Sequence, residues 1–280
     1  MGVHAGSPWE HQGLQFFGLS LSGVRTSLTY PTLGLCFDVA QGLPFNLNMK
    51  KFFLTHGHLD HAAGVPYIIS QKAMQGEATP EFYMPASLVE PLTEIMEIWG
   101  RIEKHEYRYH FHPVKEHSRF EINPQHEIRI FPTVHRVESF GYTLVHRNKK
   151  LKAEFLNLPG EKIRDLKKSG IKVDEMIDSP LFSFTGDTQI EFLDLTPEVK
   201  KSKILFVETT YLDERKTVAQ AKQWGHTHLD ELIPRLKDIE SEKIVLIHVS
   251  SRYSTPQALE ILRERLPPEE KDRVVLFPGR

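Results

Sequence analysis

The 280-residue chain contains one cysteine, Cys36. A lone thiol cannot close an intramolecular disulfide or build a cysteine-rich zinc site. Such sparing use of cysteine fits a reducing, cytoplasmic compartment. No apolar run approaches the ~18 residues of a membrane-spanning helix, so no membrane association is expected. The opening MGVHAGSPWEHQ lacks a basic start followed by an apolar stretch, which speaks against a signal peptide. It also misses the myristoylation pattern, because Gly6 stands where Ser or Thr is required. GxxxxGKS/T phosphate loops, GxSxG nucleophile elbows and GxGxxG dinucleotide fingerprints are all missing, which removes the classes of protein built on them. Internal repeats, low-complexity tracts and Gly/Ser linkers are missing as well, so the chain reads as one domain over 1–280. Net charge is only −2 and gives no overall sign of nucleic-acid binding.

What the chain does have is an ordinary globular composition, with 40% apolar and 26% charged residues. Its charge is unevenly placed. Residues 147–172 hold nine Lys or Arg against three Asp or Glu, a net of +6, which leaves −8 on the remainder. A basic island on an acidic body is a local electrostatic footprint. Short apolar runs read as strands at 14–19, 33–38, 50–55, 127–134, 140–145, 182–185, 204–209 and 243–249. Helical spacing is expected from 61 to about 75, over 86–105, near 228–240 and over 256–265. Strands predominate early and β/α alternation dominates late. That pattern predicts layered α/β sheets carrying helices on their outer faces.

Histidine occurs 15 times, and imidazole is the commonest protein metal ligand. The segment KKFFLTHGHLDHAAG runs from a buried-type strand into His56, His58, Asp60 and His61. Four ligand-type side chains this close cannot share one strand face, which repeats every second residue. At a strand-to-helix turn they converge. One turn does not complete two metal shells, and the remaining ligands are expected at other strand ends. His135 ends EIRIFPTVH, Asp187 ends FSFTGD and His248 ends KIVLIH. An unpaired charged Asp after an apolar run is costly to bury, and a cation removes the cost. The expected sets are His56, His58 and His135 on one metal, and Asp60, His61 and His248 on the other, with Asp187 bridging. Imidazole and carboxylate donors without thiolate suit Zn²⁺ and accept Mn²⁺ or Fe²⁺. Two such ions activate water and clamp a phosphoryl oxygen. Cys36 lies inside an apolar strand and reads as core.

These residues form the motif set that the metallo-β-lactamase superfamily carries, and the chain resembles that superfamily over nearly its whole length. Within it, the sequence resembles ribonuclease Z, the tRNA 3′-processing endonuclease, and most of all its short plant-type form. FGYTLV after His135, FVETTYLDE (206–214), GHTHLDE (225–231), IHVSSRY (247–253) and the KLK…SGIKV run from Lys150 carry the resemblance. It implies a four-layer αββα sandwich, two zinc ions, a homodimer and precursor tRNA as substrate. It also implies that Asp60 doubles as general base. Glu208 and His226 match a second catalytic pair that protonates the leaving oxygen, with His228 the alternative to His226. Ser250, Ser251 and Arg252 either approach the scissile phosphate or form a structural turn. The chain departs from the family in reading HGHLDH where bacterial members read HLHGDH, and in lacking a long Gly- and Pro-rich arm. The basic island then reads as a shortened arm at about 147–180, or as a solvated amphipathic helix.

The same ligand set also serves dinuclear hydrolases of small phosphodiesters, thioesters or lactones. The FVETTYLDE, GHTHLDE and SSRY stretches and the basic island favour RNA. A non-catalytic module is disfavoured because every ligand position is filled. A true β-lactamase, many of which carry a thiolate where Asp187 stands, and a flavodiiron-type site, with a carboxylate at His58, fit less well.

Overall fold

The computed structural model describes residues 6–278. The first five residues of the opening segment, where no signal peptide is expected, lie outside the described residues. Among the described residues, fourteen strands form two seven-stranded sheets. The first sheet holds β1 (Ser7–His11), β2 (Leu14–Leu21), β3 (Arg25–Tyr30), β4 (Leu35–Phe37), β5 (Lys51–Phe53), β6 (Glu81–Pro85) and β7 (His110–Val114), in chain order. The second holds β8 (Arg119–Asn123), β9 (His126–Pro132), β10 (Phe140–Leu151), β11 (Asp174–Phe184), β12 (Ile204–Glu208), β13 (Lys243–Ile247) and β14 (Val274–Leu276), also in chain order. Each sheet opens with antiparallel pairs and finishes with parallel ones. The two halves thus repeat an architecture although the sequence shows no repeat.

Alternation along each strand sorts the side chains into layers. Phe37, Phe53 and Tyr83 of the first sheet meet Tyr142, Phe182, Phe184 and Phe206 of the second in the central core. Their neighbours Cys36, Phe52, Phe82 and Met84 face the other way, under the helices Val65–Met74 and Ala86–Glu103. Leu205, Val207 and Leu246 likewise face Leu229, Leu232, Ala258 and Leu262 of the helices outside the second sheet. The order of layers is αββα, as expected. Cys36 is fully buried, and burial raises its thiol to about 12, which fits a core residue. Among the described residues no helix is long and apolar enough to cross a membrane.

Several expected boundaries move. The helix expected from 61 to 75 is two helices, Leu59–Ala62 and Val65–Met74. Of the stretch near 228–240, only Leu229–Leu232 is α-helical, and Ile233–Asp238, which contains Pro234, is a 3₁₀ turn. Strands β10 and β11 run well past the apolar runs at 140–145 and 182–185. Pairing of β9 with β10 stops at His146, and β12 pairs only with Phe182–Phe184 of β11. Beyond those points Arg147–Leu151 pairs with Asp174–Asp178, and of these five β10 residues the Arg147 amide still reaches the other side, to the Gln125 carbonyl at 2.7 Å. The two strands leave the sheet as a ribbon, closed by the helix Gly160–Lys168. A ribbon with both faces in water carries no apolar alternation, which is why the sequence pattern ended early. Over 147–181 only Val173 is buried. The basic island is therefore both a projection and, at its tip, a solvated helix.

Candidate metal centre

Every expected ligand sits at one edge of the two sheets. His56 and His58 follow β5, and Asp60 and His61 lie on the short helix Leu59–Ala62 behind them. His135 follows β9, Asp187 follows β11 and His248 follows β13. Gly186 turns the chain into Asp187 at φ +60°, where a Cβ would lie 2.5 Å from Thr55. His248 adopts φ +56° and Asp38 φ +52°. A side chain in this left-handed region costs about 1 kcal/mol or more, and such strain concentrates at functional sites.

The side chains gather into the two groups expected. His56, His58, His135 and Asp187 bring one ligand atom each within 4.8 Å of one another, and so do Asp60, His61 and His248. Asp187 stands between them. Its Oδ2 lies 3.7 Å from His56 Nε2 and 4.0 Å from His135 Nε2. Its Oδ1 lies 3.3 Å from both His61 Nε2 and His248 Nε2. Asp60 Oδ2 is 3.3 Å from His248 Nε2 and 3.5 Å from His61 Nε2.

The donor set fits metal ions. His56 Nε2 and Asp187 Oδ1 are buried without a hydrogen bond. Imidazole nitrogens face each other at 3.3 Å in two places, His61 Nε2 with His248 Nε2 and His135 Nε2 with His58 Nδ1. Lone pairs aimed at one another in a buried site need a cation between them. Burial holds His56 well below the ordinary histidine range, with His61 adding to the effect. Burial likewise lowers His58, and brings His135 to about 4. A neutral imidazole is the form that binds metal. For the acids, burial opposes charge but is outweighed. His248, His61 and His56 hold Asp187 well below the usual carboxylate range, and His248 and His61 bring Asp60 to about 2.

Supporting residues fix the imidazoles from behind. His61 Nδ1 donates to Asp38 Oδ2 at 2.7 Å. His56 Nδ1 donates to Thr55 Oγ1 at 2.9 Å, and the Thr55 hydroxyl donates onward to Asp38 Oδ2 at 2.9 Å. His248 Nδ1 donates to Thr210 Oγ1 at 3.1 Å, and Thr210 donates to Glu208 Oε1 at 2.9 Å. His135 Nδ1 donates to the carbonyl of Gly225 at 2.8 Å. Gly225 adopts φ +78°, and a Cβ there would lie 2.7 Å from His135 Nδ1. Such partners set the tautomer and orientation of metal-ligating histidines. Asp38, Thr55 and Thr210 escaped the sequence reading. Asp38 had a signal, since it ends LGLCFD as Asp187 ends FSFTGD.

Glu208 and His226 meet beside both groups. His226 Nδ1 donates to Glu208 Oε1 at 2.6 Å, and Glu208 Oε2 accepts from the Thr227 amide at 2.9 Å. Burial raises Glu208, against the pull of His226. Burial pulls His226 down, but Glu208 and Asp187 outweigh it and leave the imidazole raised. His226 also lies within ligand reach of Asp187 and His248, although its Nδ1 is committed to Glu208. His228 has a different place. It caps the helix Leu229–Leu232, accepting from Asp230 N–H through Nδ1 and donating to the Asp213 carbonyl through Nε2. Of the two histidines, His226 is the one that Glu208 holds beside the clusters. In the SSRY turn, Arg252 is exposed rather than in a buried ion pair. Tyr253 is the structural member, buried and donating to Asp213 Oδ1 at 2.9 Å.

This arrangement, two His/Asp clusters at the strand ends of an αββα sandwich, defines a hydrolase scaffold of the metallo-β-lactamase type. A family model described as the beta-lactamase superfamily domain matches residues 49–249. The chain is 30% identical over 265 residues to tRNase Z TRZ1 of Arabidopsis thaliana, covering 94% of each protein. It is 32% identical over 246 residues to the chloroplastic tRNase Z TRZ2 of the same plant, covering 87% of this chain and 69% of that one. The crystal structure of the short form of human tRNase Z superposes with a TM-score of 0.56 at 18% identity, covering 83% of this chain and 91% of that one. At that identity the last likeness speaks to the fold. The chain belongs to the beta-lactamase superfamily and, within it, to the tRNase Z family.

Proposed function

We propose that the chain is a zinc-dependent endoribonuclease that removes the 3′ trailer of precursor tRNA and leaves a 3′-hydroxyl. The observation that carries this reading is the Glu208–His226 pair, held beside a double His/Asp centre in a member of the tRNase Z family. His56, His58 and His135 would hold one ion and Asp60, His61 and His248 the other, with Asp187, which reaches both groups, shared between them. When bound, such a pair supplies Lewis acidity at the phosphoryl oxygen and lowers the pKa of water.

The chain's own residues divide the remaining work. Asp60 is ionised at neutral pH and partly open to solvent, so it orients the attacking water and takes its proton. His226, charged through Glu208, gives its proton to the leaving 3′-oxygen. Glu208 accepts from His226 and Thr227 and keeps the imidazole aimed. The ribbon 147–181 would grip the tRNA at a distance from the site. A homodimer belongs to this reading too. Ile95, Ile98, Trp99 and Ile102 form an exposed stripe on the helix Ala86–Glu103 that a second copy would cover. The single, buried cysteine suits the cytoplasm.

Incubation of the purified protein with a pre-tRNA transcript, followed by end analysis of both fragments, tests the proposal. Cleavage after the acceptor stem with a 3′-hydroxyl and a 5′-phosphate is expected. Hydrolysis of a small phosphate diester with the transcript left intact would instead assign the site to a small-molecule hydrolase.

A further inference from the structure

The rim of the centre carries a side chain that the chemistry above does not use. Trp224 is 51% exposed, although a tryptophan gains most from burial. It sits at the C-terminal end of the helix Val218–Gln223, one residue before Gly225 and two before His226. The Arg136 guanidinium lies 4.8 Å from the Trp224 ring centroid. Arg136 directly follows His135. The Gly225 carbonyl is bonded to His135, and a Cβ at Gly225 would lie 3.2 Å from Arg136 Cγ, so the segment carrying Trp224 runs close against the His135–Arg136 segment. Arg136 is itself exposed and forms no ion pair among the described residues.

An exposed indole with a free guanidinium beside it is the chemistry that receives a nucleotide. A base stacks on the ring regardless of its identity, and an arginine fork takes a phosphate. A cation–π contact at an exposed position is weak, which is little reason to keep both groups in water. The position selects which nucleotide. Trp224 stands two residues before His226, the group assigned to protonate the leaving 3′-oxygen, and its partner Arg136 directly follows His135. We infer that Trp224, flanked by Arg136, stacks the base of the nucleotide whose 3′-oxygen leaves, the last one retained in the product, and so positions the scissile phosphate. This inference rests on the RNA-cleaving function proposed above.

The test compares wild type, Trp224→Ala and Trp224→Phe on a pre-tRNA transcript and on the same transcript with an abasic nucleotide immediately 5′ of the cut. Trp224→Ala should lower kcat/KM on the intact transcript by about 10–100-fold, the usual range for loss of one stacked base. Trp224→Phe should recover most of that loss. The abasic transcript should slow wild type by a similar factor, and on it Trp224→Ala should be no slower than wild type. An equal loss by Trp224→Ala on both transcripts would mean that the ring only props His135 and His226, and would overturn the inference. So would unchanged cleavage by Trp224→Ala, or a wild-type enzyme indifferent to the abasic site, a readout that needs no variant to fold. Failure of wild type to cut any pre-tRNA would remove the proposed function itself, and this inference with it.

Discussion

Asp38 Oδ2 lies 2.7 Å from His61 Nδ1, with both side chains fully buried behind the metal centre. The same carboxylate takes the Thr55 amide and hydroxyl, so it orients His61 directly and His56 through Thr55. A carboxylate behind a ligand histidine raises the basicity of the imidazole and fixes its angle. Asp38→Asn keeps the shape but removes the charge. It should weaken metal binding by about 10–100-fold, the usual effect of losing such a partner. Competition against a colorimetric chelator measures this, and an unchanged affinity would show that Asp38 only supports the fold.

Removal of metal should make stability depend on pH in a defined direction. Burial alone would strip the proton from His61, but Asp187 and Asp38 outweigh it and raise the imidazole well above the ordinary value. A raised native pKa stabilises the folded state fully below the unfolded value of about 6.5. That contribution is lost as pH rises through the native value. A metal ion on Nε2 takes the place of the proton. Urea unfolding of chelator-treated protein should therefore lose stability as the pH is raised above about 6.5, while metal-loaded protein should not. Parallel curves for the two forms would contradict the assignment of His61 as a ligand.

The seven candidate ligand positions were legible because His56, His135, Asp187 and His248 each follow an apolar run and His58, Asp60 and His61 crowd the turn after the first of them. The partners behind them were harder to read. Thr55 closes the run 50–55 and Thr210 follows the run 204–209, and nothing in their spacing separates a histidine's partner from an ordinary threonine beside a strand. Asp38 obeyed the strand-end rule but stood apart from any histidine in sequence. Strand and helix alternation pointed to layered sheets with helices outside, and the family resemblance implied the αββα order. The length of β10 and β11 followed from neither, since their outer halves bury nothing and bear no periodic signature. His226 and His228 are equivalent in sequence, and only the hydrogen bonds to Glu208 and Asp213 separate them.

Loss of the proton donor should slow chemistry without emptying the centre. His226→Ala should retain the metal content of wild type and reduce single-turnover cleavage of pre-tRNA by about 10²–10⁴-fold. Glu208→Gln should give a smaller loss, because the amide still fills the pocket and can accept from the Thr227 amide. Glu208→Ala should add a stability cost of about 1–3 kcal/mol, since it strands the buried Thr227 amide and Thr210 hydroxyl. Elemental analysis alongside the kinetics separates these effects. Loss of metal in His226→Ala would instead make His226 a ligand, as its proximity to Asp187 and His248 allows.

The basic ribbon distinguishes a large RNA substrate from a small one, and the structure narrows which of its charges matter. Arg147 and Lys150 on β10 stand opposite Asp178 and Glu175 on β11, so two of that strand's three cations have a carboxylate across from them, while Lys149 faces Met176. Arg147 also pairs with Glu127, and Lys167 with Asp174 at 2.9 Å. Lys162, Arg164 and Lys168 on the closing helix are exposed and form no ion pair among the described residues. Cations without internal partners are the ones that phosphates can engage, and each phosphate so neutralised releases counterions. Reversing these three to Glu should weaken pre-tRNA binding at low salt. It should also flatten the plot of log affinity against log salt by about one unit for each phosphate no longer engaged. Hydrolysis of a small phosphate diester should stay near wild type, because no residue of the ribbon belongs to the His/Asp clusters. A parallel fall in both activities would make the helix a structural cap for the ribbon. A salt slope identical to wild type would place the RNA on another surface.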